Sequence, residues 1–115
     1  MKALAPIACF AILALPACAG LNESDTALYD RLDERDVALA AAAMQQTLES
    51  APDDVTRAWV NEATGHRGSI TPTRTYLGAN GYFCRDYTEE LRVGDQVGRY
   101  DHSACRDDAE RWVWL

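Results

Sequence analysis

The chain has 115 residues, with 18 Asp+Glu against 11 Lys+Arg and a formal net charge of −7. That length holds one small domain and excludes a multidomain enzyme. The acidic balance excludes a nucleic-acid binder that works through a basic patch, because the sign is wrong for phosphate.

Met1-Lys2 gives a positive start, and Ala3 to Leu15 follows without a charge. This apolar run is shorter than the roughly 20 residues a membrane-spanning helix needs. It fits the hydrophobic region of a secretory signal over residues 1–17. The run ends Leu15-Pro16-Ala17-Cys18, which resembles the lipobox of bacterial lipoproteins. In those proteins the signal is cut before the cysteine, whose thiol takes a diacylglyceryl group. The resemblance therefore implies lipidation at Cys18, and Ala19 in place of an aspartate implies sorting to the outer membrane. Several acyl chains on one residue anchor a protein stably, whereas a single chain does not. The competing readings are an ordinary secretory peptide cut at Ala17 or Ala19, and a short buried helix. On the lipoprotein reading, residues 18–30 form a tether and residues 31–115 the domain.

Four cysteines occur: Cys9, Cys18, Cys84 and Cys105. Cys9 leaves with the signal and Cys18 is consumed by acylation, so Cys84 and Cys105 remain to pair in an oxidising compartment. With His66 and His102 they match no zinc spacing, and neither a metal nor a cofactor is expected.

Thr26 to Ser50 is rich in Ala, Leu, Gln, Glu and Arg, lacks Gly and Pro, and predicts helix. Leu28, Leu32 and Leu39 share one apolar face. Val37, Ala41, Met44 and Leu48 share another and mark the main helix, with Asp33 or Asp36 as its N-cap. Pro52 ends it, and Ser50 to Asp54 is a turn.

The remainder predicts strands. Val55 to Asn61 is the first, Gly65-His66-Arg67-Gly68 a turn, and Ser69 to Leu77 the second. Pro72 cannot donate to a ladder and marks an edge or a bulge. Gly78-Ala79-Asn80-Gly81 carries the Asn-Gly turn signal. Tyr82 to Val93 is a long strand, Gly94-Asp95 a tight turn, and Gln96 to Arg106 its return. Asp107 to Glu110 turns again into a short last strand, Arg111 to Leu115.

The long hairpin fixes a register. With Gly94-Asp95 as a two-residue loop, Cys84 falls directly opposite Cys105 on a non-hydrogen-bonded pair, where side chains come closest. The same register sets Glu90 against Arg99, a favourable cross-strand charge pair. A bridge here staples a domain too small to bury a large core, and contributes on the order of 3 kcal/mol. No Cys-x-x-Cys is present, so the bridge reads as structural. The expected fold class is α+β: one N-terminal helix packed on a small antiparallel meander of four or five strands with one disulfide.

Several spaced residues resemble one family. Trp59-Val60-Asn61, then Gly65 and Gly68, then Ile70-Thr71-Pro72 resemble the W-x-N…G-x-x-G-x-[VI]-[ST]-P run of bacterial surface-antigen lipoproteins, the relatives of the 17-kDa surface antigen. Tyr82-Phe83-Cys84-Arg85-Asp86-Tyr87 is similar to that family's C-R-[EDT]-[FY] strand. Ala104-Cys105-Arg106, Asp107 and Trp112 are similar to its A-C-R…D-G-x-W ending. The match covers roughly residues 36–114. The family's G-T-A-C-R reads His102-Ser103-Ala104-Cys105-Arg106 here, and its glycine-zipper segment is replaced by the helical stretch 26–50. The resemblance implies a surface or outer-membrane lipoprotein with an α+β domain, and it implies no catalytic residue.

Three residues are candidates for ligand binding. Arg85 and Arg106 share the sheet face opposite the disulfide and suit a clamp for an anion or carboxylate; the competing reading pairs them with Asp86, Asp107 or Asp108. Trp114 is the third, a terminal aromatic suited to stacking, whereas Trp59 and Trp112 are expected in the core. Glu89 and Glu90 point to opposite faces and cannot cooperate, and the same holds for His102 and Ser103. His66, between glycines, reads as a solvated turn residue. The chain is expected to be a non-enzymatic cell-envelope lipoprotein of the outer membrane with a structural or surface-interaction role. Its partners are the membrane, through lipid on Cys18, and an envelope protein or glycan, with no nucleic acid. The alternative is a periplasmic inhibitor or binding module, for example of a cationic lysozyme, for which an acidic domain is electrostatically suited.

Overall fold

A computed structural model describes residues 28–115. The signal, the lipidation site Cys18 and most of the expected tether lie outside the described residues. The folded body already includes Leu28, which is buried, and Tyr29, although sequence reasoning assigned both to the tether. A helical turn over residues 28–30 precedes the main helix α1, Glu34–Ser50. Arg31, Leu32 and the N-cap Asp33 separate them. The Asp33 carboxylate accepts from the Asp36 backbone N–H at 2.8 Å, and the Asp36 carboxylate accepts from the Asp33 N–H at 2.9 Å. This reciprocal capping box forces a helix start at Glu34 rather than at Thr26. At the other end Ala51 is extended ahead of Pro52, which cannot continue a helix.

Five strands follow: β1 (Arg57–Val60), β2 (Arg67–Leu77), β3 (Phe83–Val93), β4 (Gln96–Arg106) and β5 (Trp112–Trp114). They pair antiparallel in chain order as one meander, with α1 packed across one face. The β3–β4 hairpin has the expected register: Val93 faces Gln96, Glu90 faces Arg99 and Cys84 faces Cys105, which are disulfide-bonded. Arg99 donates to Glu90 at 3.2 Å. Gly94 opens the turn with φ 64°, a conformation that favours glycine.

The β1–β2 connection differs most from expectation, and β1 and β5 are shorter than expected. Arg67 and Gly68 belong to β2 rather than to the preceding turn, which spans Asn61 to His66 instead. Gly68 is a strand residue because Trp59 lies across it; a Cβ there would sit 2.6 Å from Trp59 Nε1 and 2.8 Å from the Glu90 carbonyl. Pro72 lies beyond the end of β1, and the β2–β3 register shifts between Pro72 and Arg74, the expected bulge.

The core consists of Leu48, Ile70, Tyr87, Ala104 and Trp112, with Ala43 and Met44 of α1 packed on it. The helix turns Asp36, Thr47 and Leu48 fully inward. Val37 and Ala41, expected on the core face with Met44 and Leu48, are exposed at its border. One side chain closes a sheet edge. The Gln45 amide donates to the Trp112 carbonyl at 2.7 Å and accepts from the Trp112 N–H at 2.9 Å, as a sixth strand would.

Candidate functional site

Strand alternation sorts the polar groups onto two faces. On the open face Asp86 collects Ser103 Oγ at 2.7 Å, Tyr76 Oη at 3.2 Å and Arg74 Nε at 3.0 Å. The Ser103 hydrogen bond, aided by the Arg74 charge, holds its carboxyl below the ordinary range. The Arg74 guanidinium lies 4.2 Å from the centre of the Tyr76 ring.

The helix-facing side holds the two candidate arginines. Arg85, 6% exposed, donates to the Leu48 carbonyl at 2.7 Å and to Asp53 at 2.8 Å. Its Nε is buried with no partner among the described residues. Arg106 grips Glu49 with two bonds of 2.9 and 3.0 Å and reaches Glu110 at 3.4 Å. Arg106, and then the indole N–H of Trp112, hold the Glu49 carboxyl down; Arg85 and then Thr75 do so for Asp53. Both forks therefore close on carboxylates of this chain. None of these is Asp86, Asp107 or Asp108, because the helix C-terminus and the following turn lie over this end of the sheet and reach the arginines first. Arg85 ties the last turn of α1 to β3, where a cation also complements exposed carbonyls.

At the other end of α1, Asp36 is 0% exposed and is the hub of a second polar knot. It accepts from Asn61 Nδ2 at 2.8 Å and Thr64 Oγ1 at 3.0 Å, and lies 2.7 Å from His66 Nδ1. Burial alone would raise this carboxyl. The bonds from His66, Asp33, Asn61 and Thr64 outweigh burial and hold it well below the usual carboxylate range. His66 is thus a partner of the helix start rather than a solvated turn residue. The Trp59-x-Asn61 and Gly65-x-x-Gly68 spacings serve this joint.

Between these ties lies a groove of about 550 Å³, bounded by α1 on one side and by β3 and β5 on the other. Its lining is mainly apolar and aromatic, from Val37, Ala41 and Met44 to Tyr87, Trp112 and Trp114. Trp114 is 57% exposed, stacks on His102 with ring centres 4.9 Å apart, and donates its indole N–H to Tyr87 Oη at 2.6 Å. Burial pushes the Tyr87 phenol up to about 12. Glu89, 7% exposed, lies on the groove wall. Its Oε1 accepts from Tyr29 Oη at 2.5 Å and lies 2.9 Å from His102 Nε2. Burial, then the bond to Glu89, raises Tyr29. Of the three candidate residues, Trp114 lines this groove, while Arg85 and Arg106 lie beyond Trp112. Glu89 and His102 were not singled out together. Their signal was the hairpin register itself, which sets Tyr87 against His102 and Glu89 against Tyr100 on one face. Trp59 and Trp112 are buried as expected, Glu89 and Glu90 face opposite ways, and among the described residues no group of His, Cys, Asp or Glu could hold a metal ion.

A helix laid over a five-stranded meander, tied at both ends by buried polar joints and stapled across β3–β4, defines a small disulfide-bonded α+β domain with a ligand-sized groove. The chain belongs to the 17 kDa outer membrane surface antigen family, which matches residues 46–113. It is similar to the 17 kDa surface antigens of Rickettsia conorii and Rickettsia rickettsii, each 35% identical over 81 residues, covering 70% of this chain and 51% of the relative. The 17 kDa surface antigen of Rickettsia australis is 37% identical over 75 residues, covering 65% of this chain and 49% of the relative. The chain spans about half the length of the curated relatives it matches. No solved structure matches it.

Proposed function

We propose that the chain is a non-enzymatic cell-envelope lipoprotein, anchored in the outer membrane through lipid on Cys18, with a structural or surface-interaction role. The observation that carries this reading is the joint occurrence of two features. A surface-antigen domain fills residues 46–113, and a lipobox-like Leu15-Pro16-Ala17-Cys18 stands ahead of it. Family membership supports a surface or envelope location, and the Cys84–Cys105 bridge suits an oxidising compartment. The paired arginines, Arg85 buried and Arg106 part-exposed, support the non-enzymatic reading, since both bond carboxylates of the fold itself. The anchor links the domain to its first partner, the membrane. A second partner is an envelope protein or glycan.

The test is the intact mass of the chain extracted from membranes under non-reducing conditions. The expected mass is residues 18–115 plus lipid, less two hydrogens for the bridge. A Cys18→Ala variant is expected to leave the membrane fraction. An unlipidated mass beginning near Ala19 or Gly20 overturns the anchor and makes the protein diffusible.

A further inference from the structure

We propose that the groove between α1 and β5 is a binding site for a small organic cation, a protonated amine carried on an apolar or aromatic body. The site stands on the fold alone and does not depend on the lipid anchor.

The two carboxylate oxygens of Glu89 are unequally partnered. Its side chain is 9% exposed and lies on the groove wall. Both hydrogen-bonding neighbours, Tyr29 and His102, address Oε1. Oε2 has no hydrogen-bond partner among the described residues. Oε2 is not sealed from water, so a ligand in the groove that carries a donor can take the place of the water there and pair with a carboxylate whose surroundings are otherwise apolar. Around it the lining is almost wholly apolar, so the remainder of the ligand is apolar as well. Trp114, 57% exposed, presents aromatic surface beside the largely buried Tyr87 and Trp112, and such a ring attracts a cation in addition to packing against a hydrocarbon body.

The wall is also preorganised. Trp114 is held by its bond to Tyr87 and by stacking on His102, and Tyr29 by its bond to Glu89. Little side-chain freedom remains to be lost on binding. The volume of about 550 Å³ falls within the roughly 300–1,000 Å³ range of small-molecule sites. The net charge of −7 draws cations towards the molecule and repels anions. Among the described residues Arg111 at the rim is the one cation in the lining, and it is exposed to solvent, where its field is screened more than that of Glu89.

The probe is phenethylamine, titrated into the full chain with its N-terminal segment intact and followed by tryptophan fluorescence, since Trp112 and Trp114 line the groove. The neutral 2-phenylethanol and the anionic 3-phenylpropionate serve as matched bodies without the ammonium. Saturable binding of the amine is expected, about tenfold or more tighter than the alcohol, with no saturation by the acid. Glu89→Gln is expected to remove that preference. Ala41→Phe, which fills the groove from the exposed side of α1, is expected to abolish binding with an unchanged melting temperature. Three results overturn the proposal: the acid binds as well as the amine, the preference survives Glu89→Gln in a folded variant, or no probe saturates. The last includes the case in which the segment before Leu28 itself fills the groove.

Discussion

Asp36 shows how much one residue organises. It caps α1, receives the turn after β1 through Asn61 and Thr64, and pairs with His66. Replacing it with alanine loses a cap and strands buried donors, an expected cost of about 2–4 kcal/mol by denaturant titration. The pH dependence has a definite sign. The folded-state pKa of Asp36 lies below the unfolded carboxylate value of about 3.9, so its contribution is fully present above that pH and is lost as pH falls below it. Asp36→Asn is expected to be less stable at neutral pH and to lose less stability on acidification than the parent. An equal acid-induced loss in both proteins would remove Asp36 as the group responsible. Half of this joint was legible: an N-cap at Asp33 or Asp36 followed from local chemistry. The other half, His66, was not, because its partner lies thirty residues earlier in the chain. Nothing in Gly65-His66-Arg67-Gly68 distinguishes a histidine facing water from one facing a helix start.

Elements were read with accuracy where their signals were local. The two-residue turn at Gly94-Asp95 fixed the hairpin register, and with it the disulfide, the Glu90–Arg99 pair and the residues sharing each face. The β1–β2 connection was misread because Gly68 looked like turn punctuation. Its purpose is steric: it lets the Trp59 ring lie against the sheet. Gly68→Ala is accordingly expected to cost about 1–3 kcal/mol, the range for overpacking, because the obstructing Glu90 carbonyl is backbone and yields poorly. A thermal melt within 1 °C of the parent would show that the ring moves freely. Periodicity also misplaced Val37 and Ala41. It identifies an apolar stripe, and here half of that stripe borders a groove instead of filling a core.

At the scale of the whole molecule, long-range ties make up for a small core. The bridge joins adjacent strands that already pair, and the double variant Cys84→Ser/Cys105→Ser is expected to lose about 3 kcal/mol while keeping its secondary structure. Circular dichroism and a denaturant midpoint measure both. An unfolded double variant would mean that the sheet depends on the staple to form. The α+β class, the meander and the bridge were all legible in the sequence. The groove was not, because it is defined by where the helix stops covering the sheet, a property of the packed molecule and of no segment alone.

Gln45 carries a consequence for crowding. A short terminal strand with outward-pointing backbone groups is a template on which another chain can add itself. By occupying both backbone groups of Trp112 with one side-chain amide, the helix makes the sheet finite at that position. Molecules tethered side by side on a surface meet repeatedly in similar orientations, the condition under which open edges polymerise. Here one glutamine withholds the Trp112 position of the β5 edge from a neighbouring chain.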